Sequence, residues 1–231
     1  MTGGVCSHIT ARGNGRMKVF HDEDDYAAFV DLLGEACGRV PMRVVGCCLM
    51  PNHVHLICWP RAEGDLSRWM QWLMTSHVRR HHRRHGTSGH VWQGRYKSFP
   101  IQRRRVRRDQ RVAGALELGD PVLEVLRYVE RNPLRAGLVD RAEAWPWSSL
   151  RWWRAPSAAP AWWREAIARP RGWLRIVNRP QSDEELAALR RSVIRGRPYG
   201  AEAWVRRIAA AWGLESTLRP RGRPRKDQEK K

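Results

Sequence analysis

Two short patterns in this chain combine residue types that can do chemistry together: His53-Val54-His55, and Tyr128 with Asn132. Alternate side chains of an extended strand share a face, so both imidazoles point the same way, and two convergent ring nitrogens can hold a divalent ion. Tyr128 and Asn132 stand one helical turn apart, which lets a phenol and an amide address one site. Each pattern has an ordinary explanation when taken singly: histidines on a surface, a tyrosine in a helix core, an asparagine ending a helix before Pro133. Together they supply different parts of one reaction. A metal held by His53, His55 and an oxygen of Asn132 can polarise a phosphate while Tyr128 attacks phosphorus. Such a transesterification keeps a phosphodiester-like bond at every step, so a strand can be rejoined without ATP. A phenol, with a pKa of about 10, leaves more readily than a sugar hydroxyl. Its deprotonation near neutral pH costs roughly 4 kcal/mol, which a nearby cation offsets. Among the other tyrosines, Tyr26 fits an apolar helix stripe, Tyr96 falls in a strand and Tyr199 in a Gly/Pro turn, leaving Tyr128 the best-placed nucleophile.

Charge names the class of partner. Across 231 residues, Lys and Arg number 43 against 23 Asp and Glu, a formal charge of +20 that points to a polyanion. No apolar run approaches the length needed to cross a bilayer, and Met1–Thr10 carries no cleavable signal, so nucleic acid in the cytoplasm or at the nucleoid is expected and a membrane is not. Cys6, Cys37, Cys47, Cys48 and Cys58 are odd in number and lack C-x-x-C spacing, which argues for small buried thiols rather than disulfides or a zinc ribbon. Thirteen tryptophans concentrate after Trp145; most read as packing anchors, although Trp152 and Trp153, flanked by Arg151 and Arg154, could stack on unpaired bases.

The elements that must position these residues follow from periodicity. Cys6–Ala11 reads as a strand closed by a Gly13-Asn14-Gly15 turn, and Asp22–Cys37 as an amphipathic helix with Tyr26, Phe29, Val30 and Leu33 inward. Met42–Met50 and His53–Trp59 form a hairpin about Pro51-Asn52. Asp65–His85 is a second helix, with Asp65 and Ser67 as candidate caps, and Val91–Gln102 a fourth strand. The order βαββαβ is that of an α+β, ferredoxin-like core: a four-stranded antiparallel sheet with helices on one face. Arg103–Gly119 is a basic stretch with little pattern. Pro121 then opens a helix running through Asn132, stopped by Pro133. Two further helices are expected at Asp183–Arg195 and Ala201–Trp212. The chain thus divides into a catalytic domain over 1–150, an Arg/Trp-rich helical extension over 151–218, and a basic disordered tail over 219–231.

His77, His81 and His85 recur every four residues on one helix face and form a rival metal set. Arg79, Arg80, Arg83 and Arg84 crowd the same turns and would repel a divalent ion, so that face is read as contacting phosphates. Arg103, Arg104 and Arg105 open another basic run. In the tail, Arg221, Arg223 and Arg225 either enter an A·T-rich minor groove or merely add electrostatic affinity.

A wider pattern surrounds these residues. His8-Ile9-Thr10-Ala11-Arg12-Gly13-Asn14, Leu49-Met50-Pro51-Asn52-His53-Val54-His55-Leu56, Val91-Trp92-Gln93-Gly94-Arg95-Tyr96-Lys97-Ser98, Leu126–Val139 and Trp145-Pro146-Trp147-Ser148-Ser149 resemble the REP-associated tyrosine transposases, relatives of the single-tyrosine HUH transposases of small insertion sequences. Gly213–Lys226 resembles the end of that family's chain. The resemblance implies a metal-dependent endonuclease and strand transferase for single-stranded DNA, with His53 and His55 as the HUH pair, Tyr128 as nucleophile and Asn132 as third ligand. It further implies Mg²⁺ or Mn²⁺, a repetitive palindrome folded as a hairpin as substrate, and a 5′-phosphotyrosine with a free 3′-hydroxyl as products. Arg12, Arg95 and Lys97, within the matching stretches, join the candidate DNA contacts. Between Gln102 and the Tyr128 helix the chain departs from the pattern with a longer, Arg-rich connection. The main alternative is a structure-specific DNA-binding protein that has lost the chemistry, and either a monomer or a homodimer is compatible with the sequence.

Overall fold

The computed structural model describes residues 4–103 and 119–219. Ser7–Arg12 (β1), Met42–Met50 (β2), His53–Pro60 (β3) and Lys97–Pro100 (β4) form one antiparallel sheet in the order β2-β3-β1-β4, with Glu23–Arg39 (α1) and Asp65–His85 (α2) as the two crossover helices. This is the ferredoxin-like arrangement expected from the element order. α1 begins at Asp22, whose side chain accepts from the Asp25 N–H and caps the first turn.

The sheet buries both faces. On one, Val44, Cys47, Leu49, Val54, Leu56 and Cys58 pack against Phe29, Leu33, Trp69, Met70 and Leu73 of α1 and α2. On the other, Cys48, Met50, Ile57 and Phe99 meet Val122, Leu123, Val125, Leu126, Tyr128 and Val129 of Pro121–Glu130 (α3). The two crossover helices share one face, as the element order implied, and the added helix carrying Tyr128 covers the other. Each large apolar side chain so buried contributes roughly 1.5–3 kcal/mol, which anchors α3 firmly even though the preceding segment 104–118 lies outside the described residues. Gly46, at a bulge in β2, makes the close approach possible, since a β-carbon there would run into the Leu126 side chain. Asp120 caps α3 by accepting from the Val122 N–H, and Pro121 sits in its first turn.

Two boundaries differ from the sequence reading. β4 is shorter than Val91–Gln102: Gly94 takes a left-handed φ of 68°, and Val91 and Trp92 leave the strand to fill the core. The Tyr128 helix stops at Glu130 rather than Asn132, because Pro133 has no N–H to continue the ladder. Asn132–Arg135 (α4) starts afresh, yet Arg131 keeps helical angles, so the phase between Tyr128 and Asn132 is nearly preserved.

Beyond these, Ser149–Arg154 (α5), Trp173–Asn178 (α6), Asp183–Arg195 (α7) and Glu202–Trp212 (α8) complete the described helices, the last two close to their expected spans. Trp152 and Trp163 join the α1/α2 core while Leu150, Ile167 and Trp173 join the α3 core. Trp152 is buried, which corrects its reading as a base-stacking platform, and Arg169 lies over the ring of Trp153. Four cysteines are buried, Cys37 is partly so, and all five are free thiols. Among the described residues, no helix is long and apolar enough to cross a membrane.

Candidate active site

Strand register sets the histidines. His53 lies opposite Met50 on β2 and Arg12 on β1, and His55 lies opposite Cys48 and Thr10. Alternation sends both rings to the α3 face, with centroids 4.9 Å apart, and the ring of Tyr128 sits 5.9 Å from that of His55. Asn132 brings its amide nitrogen within 3.4 Å of His53 Nε2. The four residues singled out from the sequence therefore share one site at the end of the β2–β3 hairpin.

The hydrogen bonds there have a definite direction. His53 Nδ1 lies 2.6 Å from Asn52 Oδ1; an amide oxygen only accepts, so Nδ1 carries the ring proton and Nε2 keeps its lone pair. Asn132 Nδ2 then donates to that lone pair, and Arg135 Nη2 donates to Asn132 Oδ1 at 2.6 Å. His55 is oriented from behind: its Nδ1 is 2.9 Å from Nε2 of His8, a fully buried residue on β1. If His55 donates in this contact, its Nε2 is the nitrogen left with a lone pair, which is the tautomer a metal ligand requires.

Burial also keeps the rings neutral. It pushes the His8 pKa down to about 3 and that of His53 to about 4, the latter helped by the nearby Arg12 and Arg135 guanidinium groups. His55 falls well below the ordinary value through burial first, then through the repulsion that a charge on it would meet from a proton on His53 or His8 and from the Arg135 and Arg12 guanidinium groups. Two neutral imidazoles with free lone pairs suit a divalent ion, which competes poorly with protons for charged rings. Asn132 fits as a third ligand once its amide turns over to present oxygen, a change that requires Arg135 to release Oδ1. Arg135 is held in place by its guanidinium stacking over the Tyr128 ring at 4.2 Å, while its Nη1 has no hydrogen-bond partner among the described residues.

The candidate DNA contacts are distributed unevenly. Arg12 is exposed at the end of β1 beside His53. Arg79 and Arg95 line a groove of about 1050 Å³ between α2 and the 89–98 segment, together with Met74, Trp92 and Tyr96. Arg80, Arg83 and Lys97 are exposed. α2, however, lies across the sheet from the His pair. Arg84 is engaged with Asp22, Asp24 and Asp25. Arg103 lies over Trp59, at the far end of β3, roughly 20 Å along the strand from His53. Arg104, Arg105, Arg221, Arg223 and Arg225 lie outside the described residues.

The His77–His85 face does not greet phosphates: His77 and His81 are buried, and His77 packs against Phe20, Phe29 and Trp92. The amphipathic phase of α2 turns this face toward α1, which corrects the earlier reading. Sequence reasoning also passed over His8, Asn52 and Arg135. Arg135 was within reach, two turns after Tyr128 in the same helical phase, whereas His8 becomes visible only when β1 pairs with β3.

Comparison with known proteins adds an independent line. The family described as IS200-like transposases matches residues 4–109. A putative REP-associated tyrosine transposase of Haemophilus influenzae is 24% identical over 127 residues, covering 50% of this chain and 63% of that protein, so the chain matches less than two thirds of its curated relative's length. Among solved structures, a REP-associated tyrosine transposase bound to a REP hairpin aligns with 73% of this chain and 89% of its own, at 19% identity and a TM-score of 0.48. A putative transposase from Deinococcus radiodurans aligns over 48% and 85%, at 18% identity and a TM-score of 0.36.

Proposed function

For a chain that resembles the REP-associated tyrosine transposases and carries an IS200-like transposase region over residues 4–109, we propose a metal-dependent nicking and rejoining activity on single-stranded, hairpin-forming DNA, with Tyr128 as nucleophile. The observation that carries this reading is the convergence of Tyr128 and Asn132 on the neutral His53–His55 pair.

His53 and His55, with Asn132 turned to present its oxygen, are the residues that would hold Mg²⁺ or Mn²⁺. When bound, the ion draws charge from a non-bridging phosphate oxygen and makes phosphorus easier to attack. Tyr128 Oη forms the new P–O bond while the bond to the 3′ oxygen breaks. The phenolic proton is lost, the 3′ oxygen gains one, and the products are a 5′-phosphotyrosine and a free 3′-hydroxyl. Attack by that hydroxyl, or by another strand's, reverses the step. Arg135, stacked over the Tyr128 ring and tied to Asn132, is placed to stabilise charge on the phosphate and to keep the phenol ring oriented. Asn52 and His8 hold the two imidazoles in position from behind. Arg12, Arg79, Arg80, Arg83, Arg95 and Lys97 supply sequence-independent affinity for the strand.

The test uses the full-length chain, a panel of hairpin oligonucleotides from around its own gene, and Mn²⁺ or Mg²⁺. A covalent protein–DNA adduct that requires the ion and disappears in Tyr128→Phe is the expected result. An adduct formed by Tyr128→Phe at the parental rate removes Tyr128 from the role, and salt-sensitive binding without metal-dependent cleavage favours a non-catalytic DNA-binding protein instead.

A further inference from the structure

A second group of histidines lies across the sheet. Among the described residues, His21, His81 and His85 form the one set of three potential ligand side chains whose ligand atoms all lie within 4.8 Å of one another. His81 and His85 stand one turn apart near the end of α2. His21 comes from the loop that precedes α1 and is exposed. Ring centroids are 4.6 Å apart for His81–His85, 4.7 Å for His21–His85 and 5.8 Å for His21–His81. From these observations we propose a transition-metal site of the zinc class at His21, His81 and His85, distinct from the His53–His55 pair.

Three features carry it. The Nδ1 of His81 is buried and has no hydrogen-bond partner among the described residues, so one ring nitrogen lacks the contact that burial ordinarily demands. His85 Nε2 lies 3.1 Å from both carboxylate oxygens of Asp25, an arrangement that fixes the ring, places its proton on Nε2 and leaves Nδ1 for a metal. Finally, the guanidinium of Arg84, which shares Asp25 with His85, is already paired with Asp22, Asp24 and Asp25, so the local charge is not the uncompensated cationic field suggested by the arginine count. Three imidazoles favour Zn²⁺, Ni²⁺ or Cu²⁺ over Mg²⁺ or Ca²⁺, which prefer oxygen. They leave a further position for water.

The position assigns the ion a structural task. His21 follows Val19 and Phe20, whose backbone N–H groups bond the Pro51 carbonyl at 2.8 and 3.2 Å. Pro51 and Asn52 form the hairpin turn, and Asn52 orients His53. A metal joining His21 to α2 would tie down the loop that braces this turn.

The experiment uses the full chain carrying His53→Ala and His55→Ala, so that ions at β3 do not contribute, and reads metal rather than DNA cleavage. The expected result is one Zn²⁺ per chain by mass spectrometry, a tetrahedral Co²⁺ absorption band, and a Zn²⁺-dependent rise in Tm. Adding Asp25→Asn should weaken binding by roughly tenfold or more. Adding His21→Ala, at an exposed position where the metal-free Tm and circular dichroism should be unchanged, should abolish stoichiometric binding. No stoichiometric Zn²⁺ in the starting variant, or full retention after His21→Ala, overturns the proposal. Because the readout is independent of the adduct assay, failure here leaves the Tyr128 chemistry standing, and the reverse holds as well.

Discussion

Two buried polar groups flank the last turn of α3, and they differ in how completely they are satisfied. Glu130 is fully buried, yet one of its oxygens accepts from Ser149 Oγ at 2.8 Å and Arg169 Nη2 at 2.6 Å, and the other from Trp173 Nε1 at 2.7 Å. Ser149 Oγ in turn accepts from the Cys47 N–H. Both carboxylate oxygens are in use, and the cluster joins α3 to the sheet and to the segment carrying Arg169. Two residues earlier, Tyr128 packs against His55 and beneath Arg135, which hydrogen-bond to His8 and Asn132 respectively, and there His8 Nδ1 and Arg135 Nη1 lack partners among the described residues. At Glu130 the carboxylate itself is fully engaged, with only Arg169 Nε left over among the described residues, and a charge satisfied in this way works as architecture. Spare donors and acceptors held rigidly in a buried place mark a cluster that has still to meet a ligand.

That contrast can be broken most severely at Glu130. Glu130→Ala strands the Arg169 guanidinium in a buried place, and denaturant unfolding should register a loss of about 3–5 kcal/mol. A small loss would mean that Arg169 reaches solvent, and the architectural reading of Glu130 would fail. At the open cluster the same kind of change should act on rate instead. Arg135→Ala is expected to slow adduct formation by roughly 10²-fold or more, with much less effect on stability than Glu130→Ala; equal losses of stability in the two variants would erase the distinction.

Finer probes separate orientation from packing. His8→Phe keeps a ring against Phe99 but removes the acceptor behind His55, so Mn²⁺ affinity should fall by about 10–100-fold. His8→Gln, whose carbonyl can accept the same proton, should recover part of it. The smallest effect is on acid stability of the metal-free protein. His8 and His53 have folded pKa values of about 3 and about 4, below the ordinary value near 6.5, so below pH 6.5 the unfolded chain binds protons that the folded chain refuses. Their contribution is complete above about pH 6.5 and is lost as pH falls toward 4 and then 3, at up to about 1.4 kcal/mol per pH unit for each group. In a urea-melt series, His8→Phe should flatten this slope, and an unchanged slope would show that His8 is already protonated in the folded state.

Much of this was legible in the residues. Alternation in His53–Trp59 put both imidazoles on one face, the Pro51-Asn52 break announced the hairpin, and the four-residue step from Tyr128 to Asn132 survived even a helix break at Arg131, since Pro133 removes a hydrogen bond without reversing the turn. The α2 face was misread because an arginine count says nothing about where acids from another helix will lie. Asp22, Asp24 and Asp25 answer Arg84 from sixty residues away. His8 was overlooked for a related reason: a lone histidine in a strand has no meaning until register places it behind His55.

Local periodicity by itself determined the four strands, the helices α1, α2, α3, α7 and α8, their order, and which side chains of each travel together, because backbone geometry fixes those relations within a few residues; the short helices α5 and α6 fall in the Arg/Trp-rich stretch that carried no such period. Tertiary structure alone decided that α3 lies on the second face of the sheet. It also decided that Gly46 lets Leu126 approach, that Arg135 reaches over Tyr128, and that His21 meets His81 and His85. Those relations depend on long-range packing and strand register, which no single stretch of the chain encodes.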